Sequence, residues 1–182
     1  DIAVLAIPVG VRDDYHEEFA RRDVPLFVEK PFAITVEEHD YLLSTHEKIF
    51  CDYMRTCFST TRQLRAVVQS GVFGSLKRVV MTEQGRVGAT GLSPDSYKLD
   101  PSLSGGGVLM ERGCHPISQL EFIFEEYKKD VKSAEIKYSA GIDVQVSVEF
   151  GFQSDDYQIP VEFHTSDIYP IPNKSIFIFE NT

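Results

Sequence analysis

Ile2-Ala3-Val4-Leu5-Ala6-Ile7 and Leu26-Phe27-Val28-Glu29-Lys30-Pro31 are the stretches that decide the fold. Each opens on a continuous apolar run, the pattern of a strand buried on both faces of a parallel sheet. Pro8 and Gly10 break the first run. Between the two, Asp14 to Arg22 reads as a helix, with acidic residues toward its start and Arg21-Arg22 in its last turn, as the helix dipole favours. Strand, helix and strand make a βαβ unit with parallel strands and a right-handed crossover. A strand of this kind needs neighbours, yet the sequence opens on it at Asp1. We therefore expect a further segment upstream.

Working outward, Thr35-Val36-Glu37-Glu38 is a capping box that opens a helix running to about Lys48. Ile49 to Arg55 reads as a strand. Ser59 or Thr60 caps a helix with apolar positions Leu64, Val67 and Val68, and Gly71 stops it. Gly74 marks a turn before a strand from Leu76 to Glu83. Residues 84–104 show no period and read as a long loop, which in a compact domain is often functional. After Gly105-Gly106-Gly107, a helical stretch reaches about Glu126. In the last third, Val144, Val146, Val148 and Phe150 alternate with Gln145, Ser147 and Glu149, a half-buried strand of an antiparallel or mixed sheet. Ile136 to Ser139, Ile159 to His164 and Ser175 to Phe179 are its expected neighbours. The boundary between the parallel piece and the second domain falls near residues 31–35, giving units of residues 1–33 and 34–182.

Composition narrows the function classes. The 182 residues carry a formal net charge of -10 with Lys and Arg scattered, so no basic stripe offers itself to nucleic acid. No apolar run reaches the length of a membrane span, and no signal peptide is visible. The three cysteines, Cys51, Cys57 and Cys114, show no CxxC spacing and read as reduced thiols of a cytoplasmic protein. Packing is the expected role for Cys114. No spacing of His, Cys or carboxylates suggests a metal. The 13 Phe and 8 Tyr read as core and sheet surface. His16, His39 and His46 are expected to be solvated helix positions, and His164 lies in a strand.

Two constellations carry chemistry. Glu29-Lys30-Pro31 follows a buried strand, and ligands of open α/β sheets bind at the carboxyl ends of the strands. A lysine there can hydrogen-bond a substrate hydroxyl, and a cis bond before Pro31 would fix the turn. The same tripeptide also reads as a surface lysine beside a turn proline. The second is Gly105-Gly106-Gly107-Val108-Leu109-Met110-Glu111-Arg112-Gly113-Cys114-His115. On a helix Glu111 and His115 share a face, and carboxylate plus imidazole suit proton transfer at a carbinol. An exposed i, i+4 ion pair is the plainer alternative. The triple glycine lets a ligand approach the backbone closely.

In this order and spacing, the two constellations resemble the family of glucose-fructose oxidoreductase and inositol dehydrogenase. Glu29-Lys30-Pro31 looks like that family's signature after the fifth Rossmann strand. The glycines with Glu111 and His115 look like its second signature, usually Gly-Gly-Gly-x-Leu-x-Asp-x-Gly-x-His. Gly71-Val72-Phe73-Gly74-Ser75-Leu76 resembles its helix-to-strand turn, and Tyr97-Lys98 stands where many members have Trp-Arg. The resemblance implies the end of a Rossmann parallel sheet followed by a large open mixed or antiparallel sheet with helices on one face. It implies an NAD- or NADP-dependent oxidoreductase of a sugar, polyol or nucleotide-linked sugar, acting as a homodimer or homotetramer through the C-terminal sheet. By resemblance Lys30 positions the reacting hydroxyl, His115 is the acid-base, and Glu111 binds substrate or orients His115. Lys98 and Gly106 join the substrate site, while Pro8, Glu29, Lys30 and Pro31 fringe the cofactor.

The sequence departs from the family pattern at three points. Glu111 replaces the usual Asp, Ser118 stands where an Asp often follows the histidine, and no GxGxxG occurs. These departures keep a second reading open, an inactive assembly or ligand-binding module derived from the family and lacking cofactor binding.

Overall fold

The computed structural model describes residues 1–84, 95–154 and 157–181. Strands β1 (Ala3–Leu5), β2 (Leu26–Val28) and β3 (Ile49–Cys51) form a parallel sheet in that order, with Ala3 opposite Leu26 and Leu26 opposite Ile49. Helix α1 (Asp13–Arg21) connects the first two strands and α2 (Val36–Thr45) the second two. The central strand is the best covered, with Leu26 and Val28 both fully buried against Leu5, Phe32 and Leu42. In β1, at the sheet edge, Ala3 and Leu5 pack on the core while Ile2 and Val4 are exposed, so only one face of this strand is covered here, where burial on both faces was expected. The boundary read near residues 31–35 marks the turn where the chain leaves β2. The parallel sheet itself continues to Cys51.

The Thr35 hydroxyl accepts from the Glu38 amide at 3.1 Å, as a capping box requires, while the Glu38 carboxylate accepts from the Ile34 amide at 2.7 Å. β3 is shorter than expected. After Cys51 the Asp52 amide still donates to the Val28 carbonyl, but the chain then turns into a short 3-10 segment, Met54–Cys57. His16 and His46 are buried, at 3% and 5% exposure, not solvated. Helical phase explains His16. Arg12, His16 and Phe19 follow an i, i+4, i+7 stripe, and Phe19 packs on the core.

The second sheet has five strands in the order β5-β6-β7-β4-β8, from β4 (Leu76–Gln84), β5 (Lys128–Ser139), β6 (Ile142–Gln153), β7 (Gln158–Ser166) and β8 (Lys174–Phe179). β4 and β7 run parallel and the other pairs antiparallel, a mixed sheet. Two helices, α3 (Ser59–Ser70) and α5 (Cys114–Ile123), cover one face. Leu64, Val67 and Val68 of α3 meet Leu120, Ile123 and Phe124 over Val79, Val161 and Phe152. Burial of Phe124 and Phe152 contributes about 2–3 kcal/mol each. α3 begins at Ser59 without a side-chain cap and ends, as its sequence predicts, at Gly71 in the left-handed region (φ 64).

β5 extends well beyond the expected Ile136 to Ser139, and every one of its residues is exposed. It turns into β6 through Ala140 and Gly141, both at positive φ. The described end of the 84–104 segment holds a 3-10 turn (Tyr97–Leu99) and a four-residue helix, α4 (Pro101–Ser104), capped by Asp100. The rest of that segment lies outside the described residues. The helical stretch expected after Gly107 is present, opening with one π-helical turn, Leu109–Gly113, and continuing as α5 to Ile123 rather than to Glu126. No helix among the described residues is long and apolar enough to cross a membrane.

Candidate active site

The carboxyl ends of β1 and β2 face the glycine-rich turn, the π-helical turn and the tip of the β5–β6 hairpin across a cavity of about 1010 Å³. Pro8, Glu29, Lys30, Pro31, Lys98, Gly106, Glu111 and His115, the residues singled out by the sequence, all line it. The Lys30-Pro31 bond is cis.

A buried arginine that the sequence did not flag sets the wall on the parallel-sheet side. Arg12 is 1% exposed, and its guanidinium donates to main-chain carbonyls at the ends of β1 and β2. Nε and Nη2 reach the Ile7 oxygen at 3.0 and 2.8 Å, and Nη1 reaches the Glu29 and Pro31 oxygens at 2.6 and 2.7 Å. The planar fork lets one side chain satisfy carbonyls of two loops at once. Burial pulls its pKa down, against the charges of neighbouring acidic groups.

On the opposite wall Asp143 holds the glycine-rich turn. Its carboxylate accepts from the Gly107 amide at 2.6 Å and the Leu109 amide at 2.7 Å. A Cβ on Gly107 would stand 1.9 Å from the Asp143 carbonyl oxygen, so the turn can sit this close only as glycine. Gly105 takes the left-handed conformation (φ 78) that ends α4. The triple glycine is thus required by the backbone path, which then delivers Glu111 to the cavity.

Glu111 bridges two lysines. The Lys30 ammonium donates to its carboxylate and to its main-chain oxygen, both at 2.9 Å, and Lys98 donates to the other carboxylate oxygen. Burial pushes the Glu111 pKa up, but the hydrogen bonds from Lys98 and Lys30 outweigh it and hold the group below the usual carboxylate range. The sequence expectation paired Glu111 with His115. Instead the carboxylate turns to the lysines.

His115 faces the same cavity with its Nδ1 buried and without a hydrogen-bond partner. Burial lowers its pKa, the cations Arg55, Lys30 and Arg112 lower it further, and Glu83 opposes them. The imidazole is therefore neutral at pH 7, able to accept a proton. Arg55 and Glu83 form a bidentate pair at 3.1 and 2.6 Å. Ser118 donates to the His115 carbonyl oxygen at 2.9 Å, so the residue that replaces the expected Asp is spent on its own helix. Cys114 is half-buried, and burial raises its thiol pKa.

The geometry can bind a hydroxyl or developing alkoxide at Lys30 and exchange its proton with His115. Sequence reasoning missed Arg12, Asp143 and the Arg55–Glu83 pair. A basic residue near a helix start and an acid after a hairpin glycine carry no signal of their tertiary partners. Among the described residues no group of three or more His, Cys, Asp or Glu is placed to hold a metal.

Residues 61–178 match the family model of the GFO/IDH/MocA C-terminal domain. Among solved structures, the chain is similar to an aldose-aldose oxidoreductase from Caulobacter crescentus complexed with glycerol (TM-score 0.79, 18% identity, 92% of this chain and 50% of that one). It is also similar to an inositol dehydrogenase homolog from Azotobacter vinelandii complexed with NAD+ (0.80, 18%, 91% and 46%). A third is a 3-ketoreductase from Actinomadura kijaniata in complex with TDP-benzene and NADP (0.82, 13%, 99% and 55%). The chain spans about half the length of each. These likenesses establish the fold, a mixed sheet with flanking helices. A search of curated protein sequences returns no significant match.

Proposed function

Because the chain belongs to the GFO/IDH/MocA family, we propose that it is the C-terminal part of an NAD(P)-dependent oxidoreductase acting at a carbinol or ketone of a sugar, polyol or nucleotide-linked sugar. The observation that carries this reading is the convergence of Lys30, Glu111 and His115 on one cavity at the carboxyl ends of a parallel sheet. When bound, a nicotinamide cofactor supplies the hydride acceptor or donor. The chain fits such a group in part. Ile7, Pro8 and Val9 give the cavity an apolar wall beside Lys30, where Pro8, Glu29, Lys30 and Pro31 would meet the nicotinamide end. The GxGxxG turn that cradles a pyrophosphate is not among residues 1–182.

In this reading the Lys30 ammonium, held by the two oxygens of Glu111, offers its remaining hydrogen to the reacting oxygen. Neutral His115 takes the hydroxyl proton in oxidation and returns it in reduction. The fixed ammonium stabilises the alkoxide that forms between those events. Lys98 and Gly106 contact the rest of the substrate. The open face of the five-stranded sheet, with Val80, Ile176 and Ile178 beside the Arg78–Glu162 ion pair, is the proposed contact of a homodimer or homotetramer. Sedimentation of the intact gene product should return a multiple of the protomer mass, and a monomer at micromolar concentration would remove that contact.

Calorimetric titration with NAD(H) and NADP(H) tests the cofactor. Saturable binding of one pair supports the oxidoreductase. Absence of binding for both favours the inactive assembly or ligand-binding module.

A further inference from the structure

Arg112 follows Glu111 on the π-helical turn and lines the cavity next to His115. Among the described residues it makes no hydrogen bond or ion pair, and its Nε is buried without a partner. A guanidinium keeps its charge and presents five donors in a planar fork, so leaving it half-buried and unpaired is costly. Nearby carboxylates do not relieve it. Glu111 is shared by Lys30 and Lys98, and Glu83 is closed off by the bidentate pair with Arg55. Glu29 and Asp52 lie on the parallel-sheet wall and Asp167 follows the end of β7, and none of the three forms an ion pair with the guanidinium. Beside His115 the cavity thus holds Lys30, Lys98 and Arg112, of which the Glu111 carboxylate engages only the two lysines.

We propose that the cavity takes a sugar or polyol that itself bears an anionic group, a carboxylate or a phosphoryl group, and that Arg112 binds this group while Lys30 and His115 face the reacting carbinol. Fork geometry suits either anion, since both offer two coplanar acceptor oxygens. The identity of the ligand as a carbohydrate rests on the oxidoreductase reading above. The preference for an anion does not.

The test is calorimetric titration of the intact gene product with matched pairs: glucose against glucuronate, and inositol against inositol monophosphate. One charge-assisted bidentate contact should favour at least one anionic member about tenfold or more. Arg112→Gln should erase that preference without weakening the neutral partner, and Arg112→Lys should retain part of it. Circular dichroism of both variants checks that they fold. Equal affinity within both pairs, no binding of any member, or a preference that survives Arg112→Gln overturns the proposal. The two pairs separate carboxylate from phosphoryl recognition. Reduction of NAD(P)+ is followed in parallel. Arg112-dependent anion binding without turnover overturns the oxidoreductase reading and leaves this one, whereas turnover of neutral members alone does the reverse.

Discussion

Replacing Arg12 by Met tests how the cavity wall is built. The side chain is 1% exposed and makes four hydrogen bonds to three carbonyl oxygens, those of Ile7, Glu29 and Pro31. Methionine fills similar volume but donates nothing. Each carbonyl left without a partner in the interior costs about 1–3 kcal/mol, so three cost roughly 3–9. Against this, the folded state no longer holds a desolvated cation, which recovers several kcal/mol. The net expectation is a loss of about 3 kcal/mol, a large share of the roughly 5–15 kcal/mol that stabilises a typical domain. Urea denaturation followed by circular dichroism measures it, as a lower midpoint at unchanged slope. Arg12→Lys should recover only part, since one ammonium cannot span the oxygens that the fork reaches. If Arg12→Met unfolds within about 0.5 kcal/mol of the parent, the guanidinium does not hold the two strand ends together, and the reasoning fails.

Further outcomes follow from the buried polar groups. His16 has a folded-state pKa lowered to about 4, by burial first and then by the Arg12 charge. The unfolded chain, titrating near 6.5, binds the extra proton between those values, so stability falls as pH drops through 6.5 toward 4, by up to about 3 kcal/mol. His16→Leu should flatten that pH dependence in urea midpoints measured across the window, and an unchanged slope would count against the buried imidazole. Asp143→Ala frees the Gly107 and Leu109 amides and should cost about 2–4 kcal/mol of stability for two charge-assisted bonds; a midpoint equal to the parent's would show that the glycine-rich turn holds itself. Because the His115 pKa is lowered by burial and by neighbouring cations, kcat/KM for oxidation should rise with pH through an apparent pKa below the ordinary histidine value. A pH profile that titrates above that value would contradict a neutral imidazole.

The parallel unit was legible because the apolar run of β2 is buried and because Thr35 sits where α2 needs a start, just as Gly71 sits where α3 needs a stop. The fold class inferred from the glycine-rich signature and the alternation of Val144 to Phe150 is the one observed, a mixed sheet covered on one face by helices. β5 escaped detection over most of its length because both of its faces are exposed, so no alternation was written into residues 128–135. The π-helical turn left no trace either. Widening a helix by one residue changes no residue type, and the engagement of Glu111 by Lys30 and Lys98 is a tertiary contact that local i, i+4 spacing does not show. The eight residues expected in the site line one cavity, while Arg12 and Asp143, which hold its walls, were not singled out. Their roles lie in contacts to backbone atoms distant in sequence, which residue identity does not encode.

The most direct test of the central claim is the rate of NAD(P)+ reduction by the intact gene product over a panel of neutral and anionic sugars and polyols, compared among the parent, Lys30→Met and His115→Asn. The account predicts turnover of at least one substrate, with kcat reduced about 10²–10⁴-fold in each variant while the cofactor still binds. Turnover that survives both substitutions would contradict the assignment of Lys30 and His115, and absence of nicotinamide reduction across the panel would contradict the oxidoreductase itself.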